Sequence, residues 1–163
     1  MQKVLVRTLA LAVLALALGA PPTARADKPI NLALFAPIQI FKDSETIEGF
    51  RFNFFYGRNA NMAGLDLGLV NHVTRNFTGL QWGAGNIVEG NTLGWQSGFI
   101  NYTKGQVKGL QSGVVNIAGS VKGVQWGFVN YTKRMEKGLQ IGLANIIESN
   151  GWFPFMVLVN GKF

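Results

Sequence analysis

One phrase, Gly-Leu-Gln-x-Gly-x-x-Asn, returns down most of this chain at a spacing of fifteen residues. It reads GLQWGAGN at 79–86, GWQSGFIN at 94–101, GLQSGVVN at 109–116, GVQWGFVN at 123–130 and GLQIGLAN at 138–145. GLDLGLVN at 64–71 is a variant and GFRFNFFY at 49–56 a degenerate copy. Tandem copies at a fixed period mean one structural unit repeated side by side, which constrains architecture far more than chemistry.

Counting from the first glycine, positions two, four and six are apolar in nearly every copy: Leu80-Trp82-Ala84, Val124-Trp126-Phe128 and Leu139-Ile141-Leu143, for example. Only Ser97 and Ser112 break the rule. Positions one, three and five carry Gly, Gln and Gly, with Arg51 and Asp66 replacing Gln in the first two copies. Alternation with period two is a strand signal, and two fixed glycines per repeat would cost about 1 kcal/mol each inside a helix. Turn-forming runs separate the strands, among them Thr74-Arg75-Asn76, Glu89-Gly90-Asn91 and Lys133-Arg134. The repeat at 109–122 is one residue short, and the gap falls at Gly119-Ser120, where a changed loop length is tolerated. Upstream, 30–41 (INLALFAPIQIF) also alternates and reads as a strand, with Pro37 marking an edge or bulge. The chain is expected to be all-β, with eight or nine strands.

Residues 1–26 read as a secretory signal peptide. Lys3 and Arg7 precede an apolar run from Leu9 to Ala20, and Ala24-Arg25-Ala26 supplies a small-x-small cleavage pattern. The apolar run is shorter than the roughly 20 residues a spanning helix needs. The mature chain is then expected at 27–163, a single all-β repeat domain. Without the leader, twelve basic residues face eight acidic ones, and they are spread singly. That pattern argues against a nucleic-acid partner. There is no cysteine, which excludes disulfides, thiolate metal sites and cysteine nucleophiles.

Two folds suit such strands. The first is an antiparallel meander closed into a small, about eight-stranded β-barrel. Leu139, Ile141 and Leu143 would then meet lipid, while Gln140 and Gly142 would fill a tight interior. The alternative is a β-solenoid with one coil per repeat. Asn71, Asn86, Asn101, Asn116, Asn130 and Asn145 would stack as a ladder, Ile141 would be core and Gly142 would face outward. The C-terminus favours the barrel. Its run from Phe153 to the terminal Phe163 resembles the closing strand of bacterial outer-membrane β-barrels.

The repeat itself resembles a family of bacterial surface-repeat proteins first defined in leptospires, which carry tandem GLQxGLxN units after a signal peptide. The resemblance covers 49–147. It implies an exported, surface-associated protein at the outer membrane or cell surface, with a periplasmic location as the alternative, and it brings no known activity.

A search for chemistry returns little. His72 is the only histidine, and no Gly-x-Ser-x-Gly, Walker or Rossmann phosphate motif is present. Asp43, Glu45 and Glu48 share a loop and read as solvated acids. Arg51 and Asp66 occupy equivalent positions of adjacent repeats and would pair if that face is interior. Asn76, Asn101 and Asn130 match glycosylation triplets as a by-product of the repeat. Trp82, Trp95, Trp126, Tyr102 and Tyr131 suit a membrane–water interface, a sugar platform or a core. The expected function is a non-catalytic structural or interaction role, with no cofactor and no metal, and with membrane lipid or another envelope component as partner. The alternative is a soluble solenoid that binds a protein or glycan.

Overall fold

The computed structural model describes residues 28–163, and the leader expected over 1–26 lies outside them. The strands are β1 (Ile30–Phe35), β2 (Ile38–Gln39), β3 (Thr46–Asn59), β4 (Asn61–Val73), β5 (Phe77–Trp82), β6 (Gly85–Val88), β7 (Thr92–Ser149) and β8 (Phe155–Lys162). The run at 30–41 breaks at Pro37, where β2 turns back antiparallel on β1.

From β1 to β7 the successive repeats run parallel and in register. Gly49 pairs with Gly64, Gly64 with Gly79 and Gly79 with Gly94. β7 winds without a break through the last four repeats. The chain is a β-solenoid, and the closed barrel is overturned. Neighbouring repeats are not antiparallel, and β1 and β8 do not pair, so no sheet closes on itself. β8 instead lies antiparallel on the final coil, with Ile141 opposite Val159, and caps it. The physical reason lies in the amides. In a meander, equivalent side chains would fall at alternating ends of successive strands. In a coil each lies directly over its copy and bonds to it.

Two buried ladders result. Gln96 Nε2 donates to Gln81 Oε1 at 2.9 Å, Gln111 to Gln96 at 2.9 Å, Gln125 to Gln111 at 2.8 Å and Gln140 to Gln125 at 2.8 Å. The asparagine ladder runs the other way: Asn71 Nδ2 donates to Asn86 Oδ1 at 2.9 Å, and the series continues through Asn101, Asn116 and Asn130 to Asn145. Each amide both donates and accepts along the axis, so no buried polar group is left in mid-ladder.

Apolar rows flank the ladders inside the coil. Ile47, Met62, Val73, Phe77 and Val88 form one cluster, and Val107, Ala118, Val121, Met135 and Ile147 form another. Thr92 and Thr103 lie between them, their hydroxyls 2.8 Å apart.

The interior is thus built from positions three, eight and ten and from the residue two before each repeat, or three before the last, where Met135 fills the place. It is not built from positions two, four and six. The solenoid expectation that Ile141 is core is therefore also corrected, and so is the expectation that a larger residue at Gly142 would be silent. Ile141 is exposed, and a Cβ at Gly142 would overlap the carbonyl oxygen of Gly127. The first glycine of each repeat has φ between 121° and 148°, a region that side chains disfavour, and a Cβ there would strike the preceding coil.

The ladder makes a prediction. Gln111→Leu keeps the volume but leaves a Gln125 N–H without its acceptor and removes one of the two donors to Gln96 Oε1, the other being Thr103 Oγ1. The expected loss is about 1–3 kcal/mol in urea unfolding, one orphaned group's worth. A loss below about 0.5 kcal/mol would show that the ladder does not hold the coils together.

Candidate functional site

Because position three turns inward, period two drives positions two and four outward, and the corner at position five carries position six outward before position eight turns in. Position five is glycine in every copy from Gly68 to Gly142, and it lets the chain turn the corner from the first sheet to the second. The outer side of this corner is a long edge without a single charge. Its positions four to seven read FNFF at 52–55, LGLV at 67–70, WGAG at 82–85, SGFI at 97–100, SGVV at 112–115, WGFV at 126–129 and IGLA at 141–144. Trp82 is 60% exposed, Phe99 67% and Trp126 63%. Glycines floor a trough along the axis, and the position-four and position-six side chains wall it. Charge collects on the opposite edge, where Arg75, Glu89, Lys104, Lys133 and Arg134 sit in or beside the turns and are exposed.

The backbone at the apolar corner is bonded from inside the coil. Each ladder asparagine also donates to the position-four carbonyl of the next coil. Asn71 reaches Trp82 O at 2.9 Å, Asn86 reaches Ser97 O at 2.8 Å, Asn101 reaches Ser112 O at 2.9 Å, Asn116 reaches Trp126 O at 3.0 Å and Asn130 reaches Ile141 O at 3.0 Å. Gly83 N–H donates to Ser97 O at 3.1 Å and Ile100 N–H to Ala84 O at 3.0 Å, further bonds between coils at this corner. Backbone groups satisfied within the protein lower the cost of placing such an edge in hydrocarbon.

The polar candidates from the sequence fall elsewhere. Arg51 and Asp66 form a fully buried bidentate pair, Nε to Oδ1 and Nη2 to Oδ2, both at 2.7 Å. Asp66 Oδ2 also accepts from Gln81 Nε2 at 2.8 Å, and Arg51 Nη1 reaches Asn59 Oδ1 at 3.0 Å. The pair ends the glutamine ladder: a carboxylate accepts the last donor, and a guanidinium neutralises it. The three acids of the first loop part ways, with Asp43 beside Arg58, Glu45 beside Lys28 and Glu48 solvated.

His72 sits between two groups. Its Nε2 is 2.8 Å from Glu89 Oε1, and its Nδ1 is 2.7 Å from the Tyr56 hydroxyl. A carboxylate only accepts, so with Glu89 ionised Nε2 carries the proton and Nδ1 takes the hydrogen bond from Tyr56. The order Glu-His-Tyr has the form of a relay, but burial pushes the Tyr56 phenol upward, away from an activated nucleophile. The pair equivalent to His72 and Glu89, four repeats further along, is Tyr131 with Glu148, where the tyrosine hydroxyl bonds the carboxylate directly and its pKa is raised by that bond. Both are cross-coil braces. Asn101 and Asn130 are buried in the ladder, so their triplets offer no acceptor for a glycan. Phe163 is exposed and tilts its ring against Trp152 at 5.2 Å between centroids.

Sequence reasoning found the asparagine row and singled out the aromatics, but left open whether they face outward or fill a core. It missed the core rows 47-62-77 and 73-88, whose signal was an apolar residue two before the first glycines at 49, 64 and 79 and another at position ten of the repeats at 64 and 79.

Fold and edge together define a parallel β-solenoid with a polar ladder interior and an apolar outer corner. Comparison with known protein families, curated proteins and solved structures found no match.

Proposed function

We propose that this chain is an exported, non-catalytic repeat protein of the bacterial cell envelope, with a structural or interaction role exerted through its apolar edge. That edge lies on membrane lipid. The observation that carries the reading is the inverted burial: amides fill the interior, while tryptophan, phenylalanine and leucine stand outside along one uncharged edge. Exposed apolar patches of this extent mark membrane or partner surfaces. The leader expected at 1–26 and the resemblance to surface-repeat proteins point the same way. The charged edge runs the whole length of the coil, so charge and grease are separated across the axis, not along it. The solenoid therefore lies flat with its corner dipped in, and does not span.

The test is flotation with phospholipid vesicles. The unmodified protein is expected to float, and Trp82→Asp with Trp126→Asp to lose binding at least tenfold with an unchanged unfolding midpoint, since both side chains already face outward. Failure of the unmodified protein to float would defeat the reading.

One observation favours a second reading, a glycan laid along the axis. Trp82 and Trp126 share position four, three coils or about 14 Å apart. Between them stand Ser97 and Ser112, whose hydroxyls are 3.2 Å apart. Aromatic platforms joined by hydroxyls suit sugar rings.

A further inference from the structure

We infer that the surface this edge meets is an anionic lipid leaflet, read by a row of three lysines, Lys108, Lys122 and Lys137. The inference rests on the membrane reading above and adds the lipid's charge.

The row is placed by register. Glu48, Ala63, Thr78 and Leu93 stack on one another immediately before the first glycines of their repeats. The glycines that follow Lys108, Lys122 and Lys137 continue the same stack, each against the glycine of the preceding coil. Lys108 and Lys122 therefore extend this row over consecutive coils, about 4.8 Å apart, and in the next coil, where one more residue separates the buried Met135 from Gly138, Lys137 continues it with Glu136 beside it. All three are exposed.

Like charges stacked on neighbouring strands repel each other. Among the described residues no ion pair relieves this stack. The ion pairs among the described residues are Lys28–Glu45, Arg51–Asp66, Arg58–Asp43 and His72–Glu89, and none involves the row. Glu136 precedes Lys137 without reaching salt-bridge distance of it. A self-repelling row left without partners is matched by an anionic surface that supplies one charge per lysine.

Position along the strand fixes the depth. The lysines stand immediately before the first glycines, whose positive φ bends the chain, and Trp126 and Ile141 stand three residues after them. Four residues separate the lysine row from the tryptophan row, at most about 14 Å. With the corner some 5–10 Å deep in the acyl boundary, the ammonium groups stand level with lipid phosphates. Glu48 heads the same row at the other end, so the attraction belongs to the C-terminal half.

The experiment compares binding of the full chain to vesicles of phosphatidylcholine alone and of equal parts phosphatidylcholine and phosphatidylglycerol at low salt. Each lysine near an anionic surface contributes about fivefold, so roughly 100-fold tighter binding to the anionic vesicles is expected. K108Q/K122Q/K137Q should lose that preference and keep its binding to the neutral ones. K104Q/K133Q/R134Q removes the same charge from the far edge and should cost clearly less. Equal binding of the unmodified protein to both vesicles overturns the inference and leaves the membrane reading standing. Equal losses from the two triple variants also overturn it, because net charge alone would then explain the preference. Binding to neither vesicle, or a dimer in sedimentation that ignores both, removes the reading and the inference together.

Discussion

Gly98→Val is expected to leave no stably folded protein. A Cβ at Gly98 would overlap the carbonyl oxygen of Gly83 and press on the Nδ2 of Asn86. Neither can retreat. The carbonyl belongs to a backbone clamped between two coils, and the amide is committed to the asparagine ladder and to Ser97 O. Overpacking against backbone of this kind costs about 3 kcal/mol or more, a large share of the 5–15 kcal/mol that holds an ordinary domain. Ala84→Val, at an outward position, adds the same methyl groups and should stay within about 0.5 kcal/mol. Thermal unfolding by circular dichroism separates the two. A Gly98→Val protein as stable as Ala84→Val would show that the coils are not stacked this closely.

The second large effect concerns the first coils. Asp66→Gln extends the glutamine ladder by one rung but leaves the Arg51 guanidinium buried without its carboxylate. Arg51→Gln leaves the carboxylate without its cation. Breaking a buried pair from one side costs about 3–5 kcal/mol. Arg51→Gln with Asp66→Gln removes both charges and gives both early repeats the glutamine of the later ones. The double variant is expected to recover most of the loss, in a urea-unfolding cycle with a coupling of several kcal/mol. If the single losses simply add, the pair is not the unit that terminates the ladder.

Much of this architecture was legible in the residues, though not all of it in the right combination. Period two gave strands, and the asparagine row gave a ladder. The outward set Leu139, Ile141 and Leu143 and the inward set Gln140 and Gly142 had been assigned through the barrel, the topology that the structure overturns. The barrel failed on strand direction, which no single repeat encodes: direction follows from whether the turn at residues such as Lys104-Gly105 reverses the chain or carries it on into the next coil. The aromatic C-terminus resembled a closing strand because β8 is indeed terminal, antiparallel and apolar outside, yet it pairs with one neighbour only. The solenoid's faces were misassigned because apolar residues were presumed to fill its core. A coil whose inward glycines sit against backbone has little room for leucine at its centre, and stacked amides are satisfied there at every rung. Of the candidate site, the aromatics were visible. The edge was not, because positions four to seven become one surface only when the coils stack.

The short repeat at 109–122 shows how the interior treats a missing residue. Across it the ladder spans fourteen residues instead of fifteen, from Asn116 to Asn130, and the bond between them is still 2.9 Å. The coil counts rungs, and the turns absorb whatever lies between. For such a molecule the natural unit of heritable change is a whole coil. Duplicating or losing one in the middle moves no end cap, alters no internal bonding pattern and changes only the length of the greasy edge. Descendants of this gene would therefore differ in reach before they differed in kind.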